Sequence, residues 1–196
     1  MDGYKFLTVG PNKFSGLGSN VEGGDICGFV GETSGGHCVH WHLLGAYYPF
    51  SRNHNSEGLR SQDPASLNEQ SVTNIRNAIY TCYLLLPYFY TLLFGAYLEG
   101  TSVVRSLVHW YSIDSQFILD SFALVNPALN AGQKKVQAHI SPGDWVDMIT
   151  NKTLHGCSDY FNPGFDSRRL PVITCEQLAD NISFQKQRSG TACRAF

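Results

Sequence analysis

Gly23-Gly24-Asp25-Ile26-Cys27-Gly28-Phe29, followed downstream by Arg52-Asn53-His54, is the stretch that decides how this chain is read. Asp25 stands at the end of a short strand with glycines on either side, so a ligand can approach the backbone closely. A carboxylate so placed suits the hydroxyls of a polyol, and Phe29 can form an apolar wall beside it. A sugar is a natural ligand for that pair. The plainer reading of the same residues is a turn aspartate and a core phenylalanine.

Outward from this stretch the chain divides into four segments. Residues 1–22, rich in Gly, Ser and Asn, show neither helical nor strand periodicity and read as an atypical, loop-like leader. Between Gly35 and Leu44 the sequence GGHCVHWHLL suits a short helix stopped by Gly45, and Ala46–Phe50 reads as a short buried strand. Ser66 and Glu69 have the spacing of a capping box, so a helix should begin there. Its apolar stripe would run through Val72, Ile75, Ala78, Ile79 and Cys82, and Gly100 would stop it. The run Tyr83–Leu98 is uncharged but, at 16 residues with Pro87 and Gly95 inside it, is shorter than a membrane span needs. A buried helix kinked or broken at Pro87 is expected, and no membrane span. From residue 101 to 165 short apolar runs alternate with turn signals such as Asn130–Gln133 and Ser141–Asp144, the texture of antiparallel strands. Residues 166–196 form an atypical tail with no sustained pattern.

Composition narrows the partners. With 14 Lys and Arg against 16 Asp and Glu the net charge is −2, which gives no basic footprint for nucleic acid. At 43% hydrophobic and 15% charged residues, the chain can build a core. The opening MDGYKFLTVG lacks a charged start followed by a long apolar stretch, so no signal peptide is expected. Six cysteines leave an oxidising compartment open, and the glycosylation sequons at Asn151 and Asn181 lean the same way.

His37, Cys38, His40 and His42, with Cys27 upstream, form the one cluster that resembles metal ligands. It lacks the two close pairs of a structural zinc site. A Cys27–Cys38 disulfide accounts for both cysteines with fewer assumptions, if the compartment is oxidising, and would be worth about 3 kcal/mol for a loop of this size. Serine-hydrolase, phosphate-loop and dinucleotide signatures are absent from the sequence, so no cofactor and no metal are expected. Asp144 and Asp147 around Trp145 read as ordinary turn carboxylates, and Arg105 as one half of a structural ion pair.

Taken together, GGDICGF, HCVHWHLLGAYYPFSRNHN, RSQDPASLNEQ, YLLLPYFYTL and EGTSVVRSL resemble family 31 of the glycoside hydrolases, the α-glucosidases of the maltase, isomaltase and lysosomal type. The likeness is specific from Gly24 to Leu107 and looser to Met148. It implies an α/β fold: the last two strands and helices of a (β/α)8 barrel over residues 23–100, followed by the start of an antiparallel β-sandwich over residues 101–165. It implies further that Asp25 and His54 hydrogen-bond the hydroxyls of a glucosyl unit, that Phe29 lines the same pocket, and that Cys27 and Cys38 are disulfide partners. The substrate implied is an α-glucoside or malto-oligosaccharide, cleaved from its non-reducing end with retention. The parent would work outside the cell, at a brush border or in the lysosomal lumen.

Retaining glycosidases need two carboxyl groups about 5 Å apart. In this family both lie upstream of DICGF, in motifs like W-x-D-M-N-E and H-W-x-G-D, and neither motif is in this sequence. Asp2 lacks the Trp and Gly context of the acid. Ser106 stands where the family has Pro, and Asp120 where it has Gly. The sequence therefore offers no catalytic residue. It reads as an inactive piece of a truncated or degenerate α-glucosidase, with a non-catalytic sugar-binding chain or pseudoenzyme as the alternative.

Overall fold

The computed structural model describes residues 23–107, 116–120, 123–127, 138–140, 143–147, 153–156, 160–161 and 172–175. The leader 1–22 and both sequon asparagines, Asn151 and Asn181, lie outside the described residues.

Two short strands, β1 (Asp25–Ile26) and β2 (Arg52–Asn53), pair in parallel with Asp25 opposite Arg52 and Ile26 opposite Asn53. Parallel neighbours need a crossover, and helix α1 (Gly35–Gly45) supplies it. Ser34 caps α1 by accepting the His37 N–H at 3.2 Å. The strand expected over Ala46–Phe50 is not there: these residues form turns that continue off the helix. Tyr47 and Tyr48 donate their N–H groups to Leu44 and Gly45 carbonyls, and Pro49 has none to give, so the segment cannot join a ladder. The strand starts only at Arg52.

Helix α2 spans Glu69–Glu99, 31 residues. Its cap is Asn68, whose side chain accepts the Ser71 N–H at 2.9 Å, rather than the expected Ser66–Glu69 box. Ser66 lies in the preceding 3-10 turn, Pro64–Ser66, where its hydroxyl is committed to the carbonyls of Ser61 and Asp63. Gly100 ends α2 as expected, in a left-handed conformation with φ 69°. Pro87 does not break the helix. By length and composition α2 could cross a membrane, whereas the 16-residue run Tyr83–Leu98 alone was too short for a span. Core helices reach the same length and composition, and one face of α2 is in the core.

That face follows a three-four spacing: Ile75, Ala78, Leu85, Phe89 and Ala96 are buried, with Cys82 half-buried. Ile79 falls off the stripe and is exposed, and Val72 is half-buried. The opposite face carries exposed Tyr83, Tyr90, Phe94 and Tyr97. The core joins this stripe to Trp41 and Leu44 of α1 and to Val104, Phe117 and Leu119 of the following sheet. Tyr88 adds a hydrogen bond from its hydroxyl to the Leu119 carbonyl, at 3.2 Å.

Beyond Gly100 the described strands are β3 (Val104–Ser106), β4 (Phe117–Leu119), β5 (Ala123–Val125), β6 (Ala138–His139), β7 (Gly143–Asp147), β8 (Thr153–Gly156), β9 (Tyr160–Phe161) and β10 (Val172–Cys175). They pair antiparallel throughout, as six strands in the order β3-β4-β5-β10-β7-β8 and as the separate pair β6-β9. The patternless tail thus contributes a central strand, β10, between β5 and β7. Gln116 acts as a side-chain splint nearby: its amide bonds Asn126, and its Oε1 accepts the His139 N–H at 2.9 Å. Arg105 on β3 forms an ion pair with Asp120 at the end of β4.

Candidate functional site

Asp25, Cys27, Gly28 and Phe29 form a sharp bend at the end of β1. Cys27 and Gly28 both adopt positive φ, 68° and 90°, and the Gly28 N–H closes the turn on the Asp25 carbonyl at 3.0 Å. For Gly28 this conformation is free, whereas for Cys27 it costs about 1–3 kcal/mol. The Cys27–Cys38 disulfide holds that residue against α1, with the two Cα atoms 4.4 Å apart. Both sulfurs are thereby taken from any zinc.

His54 follows β2 directly, so parallel pairing with β1 brings it beside Asp25 across 29 positions of sequence. Its Nε2 lies 2.7 Å from Asp25 Oδ1, and Arg52 Nε reaches the same oxygen at 3.5 Å. The Phe29 ring stands 4.9 Å from the His54 ring, centroid to centroid, at a tilt of 48°. Asp25, Phe29 and His54 are thus one cluster, partly open to solvent. Among the described contacts, Asp25 Oδ2 is left to accept a hydroxyl proton, and the Phe29 ring offers an apolar face beside it.

A second layer lies beneath, and sequence reasoning missed it. Asn53 donates its amide to the Gln62 carbonyl, and Gln62 donates its own amide to the Gly28 carbonyl, both at 2.8 Å. Ser56 binds the Phe29 carbonyl through its N–H, at 3.1 Å, and its hydroxyl, at 3.3 Å. Gln62 is only 4% exposed, although it sits in a polar, turn-rich stretch where a glutamine is expected at the surface. The QDP tripeptide, ahead of a helix and downstream of RNHN, was the available signal.

The histidines of α1 serve the fold. Trp41 donates its indole N–H to His37 Nε2 at 2.8 Å, and His42 donates Nδ1–H to the Cys38 carbonyl at 2.8 Å. Burial lowers the pKa of His37, His40 and His42, with His40 adding repulsion at His37 and the Cys38 hydrogen bond opposing the shift at His42.

A hydrogen-bonded carboxylate, imidazole and aromatic ring are thus gathered by two adjacent parallel strands joined through a helix, the connection of an α/β protein. Residues 2–92 match the Glycosyl hydrolases family 31 TIM-barrel domain, and the chain belongs to that family. It is 41% identical to the probable maltase-glucoamylase 2 of Homo sapiens over 149 residues, which is 72% of this chain and 6% of that protein. Intestinal sucrase-isomaltase of Homo sapiens is 34% identical over 194 residues, or 92% of this chain and 11% of the relative. Among solved structures, the glucosidase II alpha subunit superposes with a TM-score of 0.82 at 23% identity, covering 87% of this chain and 20% of that one. The chain therefore spans about a tenth or less of the length of the two human relatives.

Proposed function

We propose that residues 23–100 form the last two strands and helices of a (β/α)8 glycosidase barrel and residues 101–165 the opening strands of a β-sandwich. In this reading the chain contributes one wall of the glucosyl pocket of a retaining α-glucosidase. Asp25 and His54 hydrogen-bond the hydroxyls of the terminal glucose and Phe29 packs on its apolar face. The observation that carries the reading is the 2.7 Å contact between Asp25 and His54 at neighbouring parallel strands, with the Phe29 ring against it. The exposed aromatic face of α2 supports it, because a barrel covers such a face with neighbouring βα units.

The substrate is an α-linked glucoside, cleaved from its non-reducing end in an extracellular, brush-border or lysosomal compartment. Nucleophile and general acid belong to motifs that these 196 residues lack, so the chain by itself performs no hydrolysis. The deciding experiment is the intact mass of the native protein that carries the DICGF peptide. A species several times heavier than 21.7 kDa, active on maltose, is expected. A native species near 21.7 kDa that binds a glucose-mimicking iminosugar saturably would overturn this reading in favour of a non-catalytic binding chain.

A further inference from the structure

We infer that Gln62 is a positioning residue for the sugar site, an inference that rests on the pocket proposed above. Asp25 and His54 belong to different strands, and the β1–β2 ladder joining those strands is only two residues long. So short a ladder does not by itself hold the Phe29 bend in register with His54. Gln62 closes the gap. Its side-chain amide binds the carbonyl of Gly28, the residue between the disulfide-bonded Cys27 and Phe29. Its backbone carbonyl is held by Asn53, the residue before His54. One buried residue thus spans the two halves of the site, its side chain on Gly28 and its backbone carbonyl on Asn53.

The linkage is well suited to setting distance. Gly28 has φ 90°, so its carbonyl is aimed by a conformation that a slack turn would not keep. The disulfide fixes Cys27 on the α1 side and Gln62 fixes Gly28 on the β2 side, leaving Phe29 little freedom to swing from His54. Removing the Gln62 donor leaves the half-buried Gly28 carbonyl without that contact and frees the bend, while the core beneath α1 and α2 keeps its packing.

The test uses the native protein that carries these residues, with Gln62→Glu and Gln62→Met, and Asp25→Asn as the site control. Two readouts are taken: amide hydrogen exchange over residues 25–29, and kcat and KM for maltose together with binding of deoxynojirimycin. The expected result is faster exchange at Gly28 and Phe29 and a kcat/KM lower by about 10- to 100-fold, mostly through KM, alongside the lower melting temperature that loss of a buried hydrogen bond brings. A merely structural glutamine would lower the melting temperature and leave KM alone. If Asp25→Asn abolishes sugar binding while both Gln62 variants leave KM and exchange unchanged, the role of Gln62 is overturned and the sugar site stands. If the unmodified protein binds no iminosugar, or Asp25→Asn binds it normally, the sugar site falls and this inference with it.

Discussion

Trp41 donates its indole N–H to Nε2 of His37 one helical turn away, at 2.8 Å, and only a neutral imidazole can accept that bond. His37 also lies in the first turn of α1, where the helix dipole opposes a cation. Burial holds its pKa below the ordinary histidine value of 6.5, and the same holds for His40 and His42. As pH falls through 6.5 the unfolded chain therefore takes up protons before the folded one does. The stability tied to these groups is complete above that pH and is lost below it. Thermal melts should show a falling midpoint from pH 7 to pH 5, with a shallower fall in His37→Gln, whose amide oxygen accepts the indole bond without titrating. A pH slope equal in both proteins would refute the assignment.

Asp120 occupies the left-handed region at φ 48°, and its carboxylate pairs with Arg105 on the neighbouring strand. The sequence comparison with the family, where Gly stands at this position, is given its physical reason by that φ. Two opposing effects meet here: a left-handed non-glycine residue costs about 1–2 kcal/mol, and a half-exposed ion pair returns at most about 1 kcal/mol. Asp120→Gly should therefore stay within about 1 kcal/mol of the parent by denaturant unfolding, since relieved strain offsets the lost pair. Asp120→Val, a β-branched residue in the same conformation and without the charge, should lose about 2 kcal/mol or more. Equal unfolding midpoints for the Gly and Val variants would show that φ at this position carries no strain.

Much of this architecture was legible because local chemistry and the tertiary context agreed. The disulfide pair, the Gly100 stop, the apolar spacing through Ile75 and Ala78, and the antiparallel texture after residue 100 all reappear in the structure. The errors arise where two local solutions compete. Tyr47 and Tyr48 have strand propensity, but their N–H groups are already used by the end of α1. At Pro87, where a kink or a break was expected, the break does not occur: the buried stripe runs past it on either side, from Leu85 to Phe89, and packing overrides the missing donor. Strand β10 was invisible because four residues, Val172–Cys175, carry no period of their own and gain their partners only from β5 and β7. That Asp25 and His54 come together beside Phe29 was legible in the sequence, but the burial of Gln62 was not, since it depends on contacts with Gly28 and Asn53 that are distant in sequence.

The N-terminus of α2 separates two candidate caps that lie two residues apart. Asn68 satisfies the Ser71 N–H, while Ser66 serves the turn ahead of the helix. Asn68→Ala should cost about 1 kcal/mol of stability, and Ser66→Ala less than that, because its hydroxyl is exposed and water can replace it. Denaturation midpoints of the two variants decide the matter. The reverse order would restore the capping box at Ser66 and Glu69.

Reduction of the Cys27–Cys38 bridge should act on both stability and site geometry. The bridge closes a loop of sequence separation 11, so its removal in a Cys27→Ser, Cys38→Ser double variant should cost about 3 kcal/mol. Cys27 also keeps a positive φ, and without the bond to α1 nothing covalent holds it there. Phe29 lies two residues further on, so its ring contact with His54 should loosen as well. The measurement is a pair of unfolding curves, oxidised and reduced, together with hydrogen exchange across residues 25–29. Lower stability with unchanged exchange at Phe29 would mean that the bridge braces the α1 crossover alone, and that Gln62 and Ser56 suffice to hold the bend.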